Sequence, residues 1–284
     1  MSGFSVDVDL ENPGQLLACC GLLEAADRLW RQCAFVTGHF DGDRFIVGAP
    51  ANISAVVEWL RKASVKNVQG KPPKRARGSN SALAEYDYSG SGDDPAVLCW
   101  PDGSEWRLNS WSGEDFGRTR IKTFAGQMKG PKVMAHLLDW MGSLEVDTPR
   151  LFALGFNGNA SVFGFDARKG RAALDVGFSS DALGLSGEDF PAVELFAAIG
   201  LQGFRPRQDD DALVLGVWQQ PLPVELARAA AGCAFTPPGL RRFRFRLLGR
   251  KERSGVVGAP NDQYKAFTRA QEIFERVRED SDDD

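Results

Sequence analysis

The chain has 284 residues, 43% hydrophobic and 25% charged, with a formal net charge of −4. That supplies one large core or two moderate ones, and the small net charge announces no nucleic-acid partner by itself, so any such role rests on where the charges sit. No apolar run reaches the ~18 residues of a membrane helix, and the N-terminus lacks a secretory leader's charged and apolar regions, so the expectation is a cytoplasmic protein without a membrane contact.

Ser5–Leu10 alternates Val6, Val8 and Leu10 with small or charged residues, the period of a half-buried strand. Asn12 offers an N-cap oxygen and Pro13 suits a first helical turn. Leu16, Cys19, Cys20, Leu23, Ala26 and Trp30 then recur at helical spacing. Ala34–Phe40 and Arg44–Val47 flank the turn Asp41-Gly42-Asp43, a hairpin signal. Ile53–Ala63 reads as an amphipathic helix with Asn52 or Ser54 as cap. Ser64–Ser81, rich in Gly, Pro, Lys and Arg, reads as a flexible basic loop. Ala96–Trp100 and Trp106–Trp111 form a second predicted hairpin around Pro101-Asp102-Gly103. A basic, glycine-punctuated stretch, Gly117–Gly130, feeds a helix at Pro131–Met141.

Leu151–Phe156 and Ser161–Phe165 surround Asn157-Gly158-Asn159 as a third hairpin candidate. Strands are predicted at Ala173–Phe178, Ala212–Trp218 and Leu240–Leu248. Helices are predicted at Pro191–Phe204, Pro223–Ala231 and Gln263–Arg278, and Glu279–Asp284 is an acidic tail expected to be disordered. Hairpins with a few helices say α+β rather than a doubly wound parallel sheet. Leu17-Ala18-Cys19-Cys20-Gly21-Leu22 aligns with Phe196-Ala197-Ala198-Ile199-Gly200-Leu201, each in a helix after a predicted strand. The match suggests two related halves, 1–150 and 151–278, ahead of the tail.

Three basic clusters carry the functional signal. In Leu240–Leu248, alternation sets Arg242, Arg244 and Arg246 on one face and Phe243, Phe245 and Leu247 on the other. Residues two apart on a strand are ~7 Å apart, close to the phosphate repeat of a single strand. Arg250, Lys251 and Arg253 extend that field. A solvated face, or one paired with acids of a neighbouring strand, is the alternative. The second cluster, Arg61, Lys62, Lys66, Lys71, Lys74, Arg75 and Arg77, contains no acid and suits a clamp on a phosphate backbone. The third, Arg118, Arg120, Lys122, Lys129 and Lys132, also lacks acids. Gln127 and Gly126 lie within it, and Phe124 is a candidate for base stacking.

Catalytic signals are sparse. His39 and His136 are the two histidines, and His136, with Asp139 nearby, is a possible general base for a metal-independent ribonuclease. No HxxxH, HD pair or Cys/His cluster suggests a metal, and no cofactor is expected. The five cysteines (Cys19, Cys20, Cys33, Cys99, Cys233) contain no CxxC pair and read as reduced thiols, with Cys19 and Cys20 filling the core. Asp209–Asp211 reads as a solvated acidic loop.

The blocks Val8–Trp30, Lys122–Gln127 (KTFAGQ), Phe165–Phe178, Pro191–Arg205 and Gln220–Leu222 resemble, in order, a family encoded in type I-U (I-G) CRISPR–Cas loci, the Csb and Csx groups. Phe124 and Asn109-Ser110-Trp111 depart from that pattern. The resemblance implies a subunit of an RNA-guided surveillance (Cascade-type) complex, with CRISPR RNA, target DNA and other Cas subunits as partners and cleavage done by a separate enzyme. It also implies a RAMP-type architecture of ferredoxin-like, RRM-type units with a basic sheet face. It carries no catalytic residue onto any position here. Two alternatives remain open: an endoribonuclease acting on CRISPR RNA through His136 or His39, and a structural adaptor.

Overall fold

The computed structural model describes residues 3–67, 94–111, 121–124, 128–143, 149–157, 162–168, 188–249 and 265–273. The first part of the chain forms β1 (Gly3–Asp7), α1 (Pro13–Trp30), β2 (Thr37–Asp41), β3 (Arg44–Gly48), α2 (Ile53–Arg61), β4 (Ser64–Asn67), β5 (Ala96–Cys99), β6 (Glu105–Leu108) and α3 (Gly130–Ser143). A 3-10 turn at Leu151–Ala153 precedes β7 (Phe156–Asn157), β8 (Glu188–Asp189), α4 (Pro191–Gly203), β9 (Arg207–Asp209), β10 (Ala212–Val217), β11 (Leu222–Pro223) and α5 (Val224–Ala231). The described chain ends with β12 (Arg241–Phe245), β13 (Leu247–Gly249), β14 (Lys265–Phe267) and β15 (Gln271–Ile273).

The architecture is α+β, as the composition of hairpins and helices predicts. Every strand pairing among the described residues is antiparallel, in sheets ordered β1-β3-β2-β11, β15-β12-β10-β9, β4-β5-β6, β13-β14 and β7-β8. The first two predicted hairpins form, with Gly42 and Gly103 at φ +59° and +85° in their turns, where a side chain would be strained. Strand β11 crosses from the second half of the chain onto β2, pairing Leu222 with Gly38. Trp218, fully buried, donates its indole N–H to the Gly38 carbonyl at 2.6 Å and stands edge-on to Phe40.

Helices α1 and α4 form the centre. Asn12 caps α1 by accepting the Gly14 N–H at 3.1 Å, and every residue from Pro13 to Ala26 is buried. Pro191 likewise starts α4, which is buried from Pro191 to Leu201. The two helices cross through their glycines. A methyl on Gly21 would collide with the Phe196 carbonyl and lie 2.8 Å from Gly200 N, and one on Gly200 would collide with the Leu17 carbonyl and lie 2.8 Å from Gly21 N. The residues that meet reciprocally are those the LACCGL and FAAIGL segments align. Cys19 and Cys20 are fully buried, as their place on the helix predicts, and burial pushes both thiols well up. Iodoacetamide is therefore expected to label the exposed Cys33 in the native protein and Cys19 and Cys20 only on unfolding. Early labelling of either helix thiol in a peptide map would contradict this packing.

Four expectations are corrected. Ser64–Asn67, read as the start of a loop, pairs with β5 in register Ser64 to Cys99, while 68–81 lie outside the described residues. Of the hairpin predicted around Asn157-Gly158-Asn159, residues 158–161 lie outside the described residues; within them Leu151–Ala153 is a 3-10 turn, 162–165 is not a strand, and Phe156–Asn157 pairs with the distant Glu188–Asp189. The Gln263–Arg278 segment is not a helix where described: β14 pairs with β13 and β15 with β12. Its local helical preference yields to burial of Phe267, whose ring stands 5.1 Å from Phe245 and 5.9 Å from Phe165. Leu240–Leu248 also divides into β12 and β13, with Arg246 between them. The predicted strand Ala173–Phe178 and the acidic tail lie outside the described residues.

Candidate nucleic-acid interface

Strand β12 keeps the alternation its sequence predicts: Phe243 and Phe245 are buried, and Arg242 and Arg244 face the other way. Cross-strand register fixes what surrounds them. Arg242 lies opposite Gly216, and Arg244 lies opposite Val214, which pairs in turn with Arg207. Paired residues share a sheet face, and α5 covers that face at Gly216, where a methyl would come within 3.1 Å of Ala230 C. Arg242 is accordingly half-buried, beside the Cys233 thiol that burial pushes up and Arg207 and Arg242 pull down. The arginine row is covered at one end and open at the other.

At the open end the chain supplies its own acids. Arg244 Nε lies 3.8 Å from Asp209 Oδ2 and its Nη2 3.6 Å from Asp211 Oδ1, while Arg246 Nη2 lies 3.0 Å from Asp211 Oδ2. Asp209–Asp211, expected to be a solvated loop, is the end of β9 and the turn into β10. Asp210 occupies φ +51°, which Asp tolerates. The alternative of pairing with acids of a neighbouring strand is met in a different form: the acids come from β9, which adjoins β10 and not β12, and from the turn that follows it. On the opposite side, Arg241 and Glu272 form a two-pronged pair at 2.7 and 2.7 Å, which raises the guanidinium pKa and lowers the carboxyl. That pair and the Arg269–Asp9–Glu11 pairs line an open cleft of about 710 Å³.

The other predicted cations stand elsewhere. Lys122 lies 5.1 Å over the Phe124 ring, and Phe124 itself is buried against Trp111 and Phe163, so it is not the stacking platform anticipated for it. Lys129 precedes α3 and accepts the Val133 N–H with its carbonyl at 3.0 Å. Arg61 donates to the Met141 carbonyl at 2.9 Å, which ties the root of the second cluster to the end of α3. Lys71, Lys74, Arg75, Arg77, Arg118, Arg120, Gln127, Arg250, Lys251 and Arg253 lie outside the described residues. His39 is on β2, with burial lowering its pKa, and His136 is exposed on α3, so the two histidines sit on separate elements. Among the described residues no group of three or more His, Cys, Asp or Glu is arranged to hold a metal.

A buried polar junction forms where the sequence reading placed only a cap. The Glu194 carboxylate, on the first turn of α4, accepts the backbone N–H groups of Gly164, Phe165 and Asp166 at 2.8, 3.1 and 3.0 Å. Asp166 in turn accepts from Asn12 Nδ2 at 2.9 Å, and the Asn12 oxygen takes the Ala167 N–H at 3.1 Å as well as its own cap bond. Arg168 pairs with Asp166 at 2.6 Å, donates to the Phe152 carbonyl at 2.8 Å and lies 3.2 Å over the Phe190 ring. Thr123 Oγ1 donates to the Phe163 carbonyl at 2.6 Å. The available signals were Asn12 before Pro13 and Glu194 in a first turn; nothing local joins residues 154 apart in sequence. A second such link is the buried Glu24 of α1, paired with Arg28 and with Arg228 of α5. No family model, no curated protein and no solved structure matches the chain.

Proposed function

We propose that the chain is a non-catalytic, nucleic-acid-binding subunit of a type I CRISPR RNA-guided surveillance complex, contacting guide RNA or target DNA through basic surface. The observation that carries this reading is the buried junction. Four sequence blocks behind the family resemblance contribute Asn12, Thr123, Asp166 and Glu194 to bonds that meet on one short segment, 163–168. Blocks in the family's order thus have a shared physical task. In the same proposal, β1, α1, β2, β3 and α2 are the opening of a ferredoxin-like unit, with β3 lying between β1 and β2 as such a unit requires. The reciprocal crossing at Gly21 and Gly200 supports two related halves. A cytoplasmic setting fits five unpaired cysteines, and no described helix is long and apolar enough to cross a membrane.

The test is expression of the tagged chain with its own operon, followed by sequencing of bound RNA and identification of co-purifying proteins. A discrete guide RNA with other Cas subunits is expected. Recovery of the chain alone and free of nucleic acid overturns the proposal. Within the recovered complex, substituting Arg244 and Arg246 with Ala is expected to weaken RNA retention severalfold and flatten its salt dependence. An unchanged salt slope removes these two residues from the interface. One observation favours an adaptor instead: Arg244 and Arg246 are already neutralised by the chain's own aspartates. An adaptor's complex would survive nuclease and high salt with its composition intact.

A further inference from the structure

We infer that the β9–β10 hairpin is an electrostatic shield, in which Asp209 and Asp211 take the places of backbone phosphates against Arg244 and Arg246. The inference rests on the nucleic-acid-binding reading and adds a regulatory contact to it. A carboxylate and a phosphate present the same charged oxygens to a guanidinium, and here one carboxylate, Asp211, bridges two arginines at 3.6 and 3.0 Å while Asp209 holds the first at 3.8 Å. Arg244 also shares its row across the sheet with Val214 and Arg207, so without the acids two guanidinium groups would stand on one face with only repulsion between them. The acids therefore offset that repulsion when no polyanion is present.

The shield is weak by construction. Arg244, Arg246 and Asp211 side chains are 41%, 53% and 61% exposed, so water and salt reach the two Asp211 pairs, while Arg244 Nε, which faces Asp209, is itself buried. Exposed pairs of this kind contribute little each and exchange readily. A single RNA strand carries successive phosphates, so it would compete for both arginines at once and release condensed counterions as it did so. A short or singly charged anion gains only one arginine and competes poorly. The device thus discriminates in favour of an extended polyanion and against free phosphate or nucleotide.

The full-length chain binding a fluorescein-labelled oligouridylate, followed by anisotropy over a salt series, tests this. Asp209→Asn with Asp211→Asn is expected to tighten binding about three- to tenfold and to steepen the log-affinity against log-salt slope by about 1.4, the value for two further single-strand phosphate contacts. Adding Arg244→Ala and Arg246→Ala in that background is expected to erase the gain. Asp43→Asn with Asp139→Asn, the same change in net charge at two other exposed acids, is expected to shift affinity less than about twofold. A gain equal to that control, a gain that persists without the arginines, or no binding by either the parent or the Asn variant overturns the shield. Recovery of guide RNA from the operon decides the underlying function separately, so either can fail alone. Melting curves of the variants close to the parent's show that the hairpin still folds.

Discussion

Replacing Gly21 with Ala is expected to destabilise the chain by on the order of 3 kcal/mol, lowering its melting temperature by about 5 °C. The added methyl meets backbone on the facing helix, the Phe196 carbonyl and Gly200 N, rather than the end of a flexible side chain. Backbone cannot rotate aside, so α1 and α4 must separate, and each is buried along most of its length, which makes separation costly everywhere else in the crossing. Gly200→Ala meets Leu17 and Gly21 in the same way and is expected to behave alike. The double substitution should cost less than the sum, because the first methyl already opens the gap that the second needs. Gly142→Ala is the control: nothing lies within 4 Å of its methyl, and Ala is the better helix former, so stability there should hold or rise slightly. Thermal melts of the four variants suffice, and a Gly21→Ala protein melting within about 2 °C of the parent would refute the close crossing.

Glu194→Ala carries the second large effect, a loss of about 3–5 kcal/mol. One nearly fully buried carboxylate satisfies three backbone donors, Gly164, Phe165 and Asp166. Bonds to a charged acceptor are stronger than neutral ones, and their removal strands three N–H groups in a region where Phe163 and Phe165 exclude water. Glu194→Gln is expected to fall between parent and Ala. Its one carbonyl oxygen can still accept, while its amide N–H₂ points donors at donors. Denaturant midpoints rank the three proteins, and hydrogen exchange at those three amides locates the effect. Unchanged midpoints with the amides still protected would show that the carboxylate does not hold this segment.

Much of the local structure was legible because it is decided locally. Asn12-Pro13 before an apolar period of 3.6 announces α1, Gly42 and Gly103 announce their hairpins, and the alternation Arg242-Phe243-Arg244-Phe245 announces which side chains are buried. The same rules misread Lys265–Ile273, where a polar, helix-favouring stretch becomes two short strands. A buried Phe267 and two pairing partners outweigh local preference, and both come from distant sequence. The arginine cluster was read correctly as a face and incompletely as an open surface: alternation reports which way a side chain points and not which acid waits across two strands.

Taken alone, the sequence determined the α+β class, the caps and turns, the central helices and the grouping of charge, since each depends on neighbours a few residues away. Tertiary structure alone decided that Gly21 and Gly200 meet backbone to backbone, that Glu194 and Asn12 clasp 163–168, and that Asp209 and Asp211 answer Arg244 and Arg246. Each of these joins groups far apart along the chain. Which buried donor meets which acceptor, and which charge meets which, is settled when the elements close around a common core and every stranded polar group must find a partner there.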